Sequence, residues 1–85
     1  MPLFVIERNF AEQLELSKDA ASEVIHINDD VGVRWLYSFL SADRKKTYCL
    51  YEAPSVASIR EAAQQANLPA DVIIEVSEVR PEAFA

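Results

Sequence analysis

The sequence predicts an α+β fold of the ferredoxin-like type, formed by a single domain over residues 1–85. Four short segments are rich in branched and aromatic residues, which is typical of β-strands. Two further segments repeat apolar residues at the spacing of one helical face, and each is flanked by residues that start and stop helices. The chain order is β-α-β-β-α-β, which predicts a four-stranded antiparallel sheet in the order 4-1-3-2 with both helices on one face.

The first strand and the first helix are predicted over residues 3–10 and 18–31. The strand begins with the apolar run LFVI. Ser17 is in position to cap the helix N-terminus, and Gly32 is in position to end the helix, because glycine adopts the positive φ that such an end requires. The apolar residues between them recur at intervals of four, three and four, as expected for one helical face: Ala20, Val24, Ile27 and Val31.

The second and third strands are predicted over residues 33–42 and 46–53, as a hairpin joined by a polar turn. The turn contains neither Asn-Gly nor Asp-Gly, so the sequence leaves the register of the hairpin open. A two-residue loop would place Cys49 beside Leu36 and Leu40. A three-residue loop would instead place Cys49 with the aromatic side chains of the second strand: Trp35, Tyr37 and Phe39.

The second helix is predicted to begin after Ser55, which serves as its N-cap. Its end is well marked: Asn67 tolerates the left-handed conformation, Leu68 can fold back onto the helix, and Pro69 prevents continuation. The fourth strand is predicted over residues 72–79. The apolar stripe of the second helix is formed by Val56, Ile59, Ala63 and Ala66.

The strands are apolar on both faces. A sheet with water on one side should instead alternate apolar and polar residues. We expect the second strand to direct Leu36 and Leu40 to one face and the other apolar residues to the opposite face: Val33, Trp35, Tyr37 and Phe39. Because two helices cover only one face, the other face requires an apolar partner. The simplest partner is a second copy of the chain, which predicts a homodimer through the open sheet face and a dimeric α+β barrel. A monomer with a few exposed aromatic side chains is the alternative.

Composition excludes several classes of function. The net charge is −6, and three consecutive basic residues at 44–46 form the only basic cluster, so no nucleic-acid partner is expected. No apolar run approaches the roughly 20 residues of a membrane span, so no membrane partner is expected. The chain has one glycine, which excludes a glycine-rich phosphate loop. One cysteine and no recognisable signal peptide favour the cytoplasm.

Aromatic residues of the hairpin and charges of the first strand form the candidate ligand site. Tyrosine and tryptophan need hydrogen-bond partners when buried, so they commonly line either interfaces or small-molecule pockets. The first strand should be central, where a charge needs a partner. Glu7 or Arg8 could therefore face the space between the sheets and bind a polar ligand, or both could lie at the wet end of the strand. The predicted ligand-binding residues are Trp35, Tyr37, Tyr51 and Glu7, with Tyr48 nearby.

Cys49 and His26 are the side chains that could bind a transition metal. Cys49 lies in the middle of a strand, where it is either a small core residue or a residue with a ligand or redox role. His26 faces away from the apolar stripe of the first helix and is followed by Asp29 and Asp30. This trio is either a metal site or an ordinary solvated helix face.

Nothing in the sequence specifies an enzyme. The chain has no Cys-x-x-Cys pair and no His-x-x-His pair. A binding protein is therefore the first hypothesis. A cofactor-free α+β-barrel enzyme of the oxygenase or isomerase type is the alternative by analogy of fold, with Tyr37, Tyr51 or Glu7 as base or donor. A structural or regulatory dimer without a ligand is the third.

The segments GVRWLYSFLSADRKKTYCLYEAPS and IREAAQQANLPADVIIEV resemble a family of small bacterial proteins of unknown function that is described as nickel-binding. The most specific pieces are W-x-x-S in the second strand, Y-C-x-Y-x-A-P across the third strand, and I-R-E in the second helix. The resemblance spans nearly the whole chain. It implies a ferredoxin-like fold and a dimeric α+β barrel.

The same resemblance implies nickel or another divalent transition metal as a cofactor. The metal-binding relatives read W-V-H-S in the second strand and R-E-H in the second helix. This chain has Tyr37 and Ala62 at the two histidine positions, so Cys49 is the ligand that remains from the implied set.

Overall fold

The computed structural model describes residues 1–12, 14 and 17–84 and confirms the predicted ferredoxin-like fold. The connecting segment 11–16 therefore lies partly outside the described residues. The strands pair in the order β2-β3-β1-β4, which is the predicted order 4-1-3-2, and every pair is antiparallel. The elements are β1 (Leu3–Asn9), α1 (Lys18–Val31), β2 (Arg34–Leu40), β3 (Lys46–Glu52), α2 (Val56–Gln65), β4 (Val72–Val76) and a 3₁₀ turn at Pro81–Phe84.

The strands are shorter than predicted, and the largest difference lies at the end of β4. The fourth strand was expected over residues 72–79. Val76 lies opposite Leu3, the first residue of β1, so the chain beyond Val76 has no strand to pair with. Val79 consequently lies outside the sheet, and its side chain is exposed.

Both helices begin and end with the capping residues that the sequence predicts. The Ser17 hydroxyl accepts the amide N–H of Ala20 at 3.1 Å, and Gly32 ends α1 with φ of 82°. Ser55 caps α2 in the same way. Asn67 adopts φ of 55°, and the amide N–H of the following Leu68 donates to the carbonyl oxygen of Ala63 at 2.9 Å. These bonds satisfy backbone groups that a helix end otherwise leaves unpaired.

The core lies between the helices and one face of the sheet. Its largest fully buried side chains are Phe4, Ile6 and Ile59, and burying each contributes roughly 1.5–3 kcal/mol. The predicted stripe on α2 is wrong at Val56, which is 38% exposed. Val56 is the first residue of α2, and Ala62 lies in the buried set instead. No helix in the described part of the chain is long and apolar enough to cross a membrane.

A β-bulge at Leu36 changes which side chains of β2 share a face. Trp35 lies opposite Tyr51 and Tyr37 lies opposite Leu50, so Leu36 has no partner on β3. The extra residue shifts the alternation of side chains along the strand. The prediction that Trp35 and Tyr37 point the same way is therefore wrong. Trp35 faces the helices, whereas Tyr37 and Phe39 face away from them.

The register also differs from both alternatives considered for Cys49. Cys49 lies opposite Ser38 and faces the helices together with Trp35. The hairpin connection is longer than predicted, with a turn in which Arg44 adopts φ of 62°. Asp43 stabilises this turn by accepting hydrogen bonds from the Ser41 hydroxyl and the Lys45 amide. Both hydrogen bonds hold the pKa of Asp43 below its usual value, and the bond from Ser41 has the larger effect.

The sheet face turned away from the helices, called the open face below, is apolar as predicted. Phe39 is 65% exposed there, and Ile74 and Tyr37 are each 54% exposed. Glu7 on β1 pairs at 3.9 Å with Lys46 on this face. The apolar residues of the open face are Leu3, Val5, Leu36, Tyr37, Phe39, Tyr48, Leu50, Val72, Ile74 and Val76.

Candidate functional site

A cavity of about 130 Å³ lies between the helix-covered face of the sheet and α1. Small residues of α1 help to create it: Ala20, which is exposed, and Ala21, which is half-buried, line the cavity and leave space that larger side chains would fill. Phe10, Leu14, Val24 and Leu68 add apolar surface. The strands contribute the polar part of the wall, which consists of Arg8, Ser38, Thr47, Cys49 and Tyr51, with Trp35 beside them.

Hydrogen bonds orient the polar side chains of the cavity. The Trp35 indole N–H donates to the Ser38 hydroxyl oxygen at 2.8 Å. The Cys49 thiol donates to the Thr47 hydroxyl oxygen at 3.6 Å. On the α1 side, the Asn28 amide donates to the Tyr51 hydroxyl oxygen at 3.4 Å. Each hydroxyl of the wall is thus an acceptor in the bond shown and keeps its own proton available for donation.

Arg8 is the charged residue of the described cavity wall. It lies on the central strand β1 and is only 4% exposed. Its Nη1 donates to the carbonyl oxygen of Pro69 at 2.7 Å, and its guanidinium carbon lies 5.8 Å from the centre of the Tyr51 ring. Within residues 1–12, 14 and 17–84, Arg8 forms no ion pair with a carboxylate.

Burial raises the pKa of Tyr51 above its ordinary value. The hydrogen bond from Asn28 and the charge of Arg8 act in the opposite direction but are smaller effects. Burial dominates because a phenolate would lose its hydration in this position. Tyr51 therefore stays neutral at physiological pH and acts as a hydroxyl group.

The structure divides the five predicted site residues between the two faces of the sheet. Trp35, Cys49 and Tyr51 meet at the cavity. Tyr37 lies on the open face, where its ring meets Phe39 edge-on at 5.8 Å, beside a wide depression of about 780 Å³. Glu7 also lies on the open face. Trp35 and Tyr37 lie on opposite faces of the sheet because of the bulge at Leu36.

Sequence reasoning missed three polar residues of the site and left a fourth undecided. Ser38, Thr47 and Asn28 were not singled out, and Arg8 was weighed only as an alternative to Glu7. A signal existed for Arg8: it follows Phe4 and Ile6 at intervals of two, so strand alternation places it on their face. The other three depend on the register of the hairpin and on the packing of α1.

A ferredoxin-like sheet with a small, partly polar cavity beneath its first helix defines the class of this protein. Its family is shown by a direct match: residues 4–76 match the family model described as "Nickel responsive protein SCO4226-like". The chain belongs to this family. The match confirms the resemblance found in the sequence.

A solved structure supports the fold independently. The crystal structure of SCO4226 from Streptomyces coelicolor A3(2) superimposes with a TM-score of 0.76 and covers 92% of this chain and 99% of its own. The two sequences are 21% identical, so the likeness concerns the fold alone. No curated protein matches the chain significantly.

The side chains that the structure describes do not form a donor set that fits a nickel ion. Among the described residues, no group of three or more His, Cys, Asp and Glu side chains comes together. Cys49 is the one soft donor at the cavity, and its neighbours there are neutral hydroxyls. Ala62, at the second expected histidine position, is buried in α2 and has no donor atom. His26, Asp29 and Asp30 are exposed on α1.

Proposed function

We propose that this protein is a cytosolic, homodimeric binding protein that holds a small organic molecule in the cavity beneath α1. One observation carries the proposal: Trp35, Cys49 and Tyr51 line a cavity that is mainly apolar and has a few oriented polar groups. This combination is typical of small-molecule sites, in which apolar walls supply affinity and a few polar groups supply orientation.

The size of the cavity indicates the size of the ligand. An apolar cavity of about 150 Å³ accommodates a benzene molecule. The cavity of about 130 Å³ therefore suits one ring or a short branched chain, with room for further atoms only toward its mouth.

The open face supports the dimer. Tyr37 and Phe39 on one edge strand and Ile74 on the other expose apolar surface across the open face, and such surface is commonly covered by a partner. A second copy would bring two such faces together in the manner of packed sheets, about 10 Å apart. The cavity lies on the other side of the sheet, so ligand and partner would not compete for the same surface.

Binding is favoured over catalysis by the chemistry of the wall. The described wall contains neither a carboxylate nor a histidine. Tyr51, whose pKa is raised by burial, is a poor base at neutral pH. An enzyme of the α+β-barrel type would need a base that the described cavity residues do not supply.

The family description favours nickel binding through Cys49 as a second candidate function. Equilibrium dialysis against nickel, copper and zinc separates the two candidates, with bound metal measured by mass spectrometry. Stoichiometric nickel that is lost in Cys49→Ala would favour the metal. Because one protomer supplies a single soft donor, such a site would need ligands from a second copy.

A neutral ring compound tests the small-molecule proposal. We expect benzamide to bind with a dissociation constant of about 1 mM, as is usual for a ligand of about nine non-hydrogen atoms. The chain has one tryptophan, so its single indole N–H signal in a ¹H–¹⁵N spectrum reports directly on the cavity. Benzamide should shift the Trp35 indole signal in a saturable manner.

Two alanine-to-leucine substitutions, one on each helix, provide a test of the cavity and its control. Ala21→Leu fills the cavity and should abolish the shift. Ala57→Leu makes the same change at an exposed position of α2, away from the described cavity wall, and should leave the shift unchanged. Binding that survives Ala21→Leu, or the absence of any shift in the unmodified protein, would contradict the proposal.

A further inference from the structure

We infer that the cavity selects anionic ligands, namely small carboxylates with an apolar ring or short chain, and that Arg8 binds the carboxylate. This inference rests on the proposed function and adds the chemical class of the ligand.

The first argument is the unusual position of Arg8. A guanidinium is rarely buried to this extent without an anionic partner, because removing a charge from water is costly. Arg8 is 4% exposed and lines the cavity, yet among the described residues it pairs with no carboxylate and contacts the carbonyl oxygen of Pro69 and the side chain of Tyr51. A guanidinium has five N–H donors in a planar fork that matches a carboxylate.

The second argument is that the other polar groups of the wall are also donors. The hydroxyl oxygens of Ser38, Thr47 and Tyr51 each accept a hydrogen bond from a neighbouring side chain. Their protons remain available for a ligand oxygen. In the described wall no carboxylate competes for these donors or repels an anion. The polar side chains of the described wall thus include one positive charge and three hydroxyl groups but no carboxylate.

The third argument is that the remaining wall is apolar. Ala20, Ala21, Val24 and Leu68 surround the space in front of the polar groups, with the ring of Trp35 on the β2 side. A fully hydrated inorganic anion would leave this apolar surface uncovered. A carboxylate attached to a ring or short chain covers it and places its charge at Arg8.

Benzoate and benzamide form a suitable pair of probes, because they share size and shape and differ in charge. We expect benzoate to bind the unmodified protein at least about tenfold more tightly than benzamide, since hydrogen bonds to charged groups are the stronger ones. The Trp35 indole signal measures both affinities, and isothermal titration calorimetry measures benzoate independently.

Arg8→Met removes the charge and keeps a long apolar side chain. This substitution should lower the affinity for benzoate by at least about tenfold and change the affinity for benzamide far less. Arg60→Met is the matched control, because Arg60 is exposed on α2 and absent from the cavity wall. It removes the same charge and should leave both affinities unchanged.

The outcomes distinguish this inference from the proposed function. If benzamide binds and benzoate binds no better, the cavity is a ligand site but the anion preference is wrong. If neither compound binds, both proposals are wrong. If Arg8→Met keeps the affinity of the unmodified protein for benzoate, the role of Arg8 is overturned. The comparison of the two probes needs no variant, so it remains decisive if Arg8→Met fails to fold.

Discussion

At the scale of single residues, Tyr51 connects the core with the candidate site. Its ring is buried in the core beside Arg8, and its hydroxyl accepts a hydrogen bond from Asn28 of α1. Sequence patterns placed Tyr51 among the ligand residues on the strength of its type. Its partner Asn28 was not foreseen, because a polar residue on an amphipathic helix is expected to face water. Only the packing of α1 on β3 shows that this amide is buried.

The raised pKa of Tyr51 predicts a loss of stability at high pH. The folded state keeps the Tyr51 proton to higher pH than the unfolded state, whose tyrosine pKa is about 10. The contribution of Tyr51 to stability is therefore complete below about pH 10 and is lost as the pH rises through the folded-state pKa.

The variant Tyr51→Phe tests this. At about pH 8 the variant should be less stable by roughly 0.5–1.5 kcal/mol, the usual contribution of a hydrogen bond. At about pH 11 this difference should shrink or reverse, because phenylalanine has no proton to lose. Urea denaturation followed by circular dichroism at both pH values measures the difference. A difference that is the same at both pH values would contradict the prediction.

At the scale of elements, the helices were more predictable than the hairpin. Helix bounds follow from local signals: Ser17 and Ser55 begin the helices, and Gly32 and Asn67 end them, each at the predicted position. The hairpin depends on a bulge at Leu36 that no local pattern announces, because its neighbours are equally suited to a regular strand. Trp35 was therefore grouped with Tyr37 although the two face opposite sides.

The left-handed residue at the end of α2 supports a prediction at this scale. Asn67→Ala should destabilise the protein by about 1 kcal/mol, because a residue with a Cβ atom adopts positive φ at a cost of roughly 1–2 kcal/mol and asparagine is the common exception. In a domain of this size that corresponds to a decrease in melting temperature of about 4–8 °C.

Two further variants make the Asn67 prediction specific. Asn67→Gly should cost little, because glycine adopts positive φ freely. Gln65→Ala, at an exposed position within α2, should be close to neutral, since alanine is a good helix former. Thermal unfolding of the three variants provides the comparison. Equal stability of the alanine and glycine variants at position 67 would contradict the proposed cost of positive φ at this residue.

At the scale of the whole molecule, the two faces of the sheet differ in burial. The face beneath the helices contains the core and the cavity, and the open face carries exposed aromatic and branched side chains. The alternation of apolar residues on β1 and β4 predicts two apolar faces, and the exposure of Phe39 and Ile74 confirms that one of them is uncovered in a single chain. The homodimer remains a prediction from this surface.

A charge placed on the open face tests the dimer. Phe39→Asp should convert the protein from dimer to monomer, because an unpaired carboxylate at a sheet interface must give up its hydration. Size-exclusion chromatography with light scattering measures the mass. Val56→Asp introduces the same charge at an exposed apolar position on the first turn of α2 and should leave the dimer intact. A monomeric unmodified protein, or a dimeric Phe39→Asp variant, would contradict the assembly.

The amino-acid sequence was sufficient to predict the element order, the sheet topology, the helix ends and the apolar character of both sheet faces. These properties follow from periodicity and capping, which act over a few neighbouring residues. Family membership was also accessible from the sequence, through the segments around Trp35 and Cys49.

The choice of side chains that form the site depends on the packing of the complete sheet. The bulge at Leu36 separates Trp35 from Tyr37, and the register of β1 against β3 brings Arg8, Cys49 and Tyr51 to one wall. Side-chain direction in a strand changes with every residue, so one unpaired position reassigns a whole face. Short-range patterns do not contain that information, because it arises from pairing between strands that lie far apart in the chain.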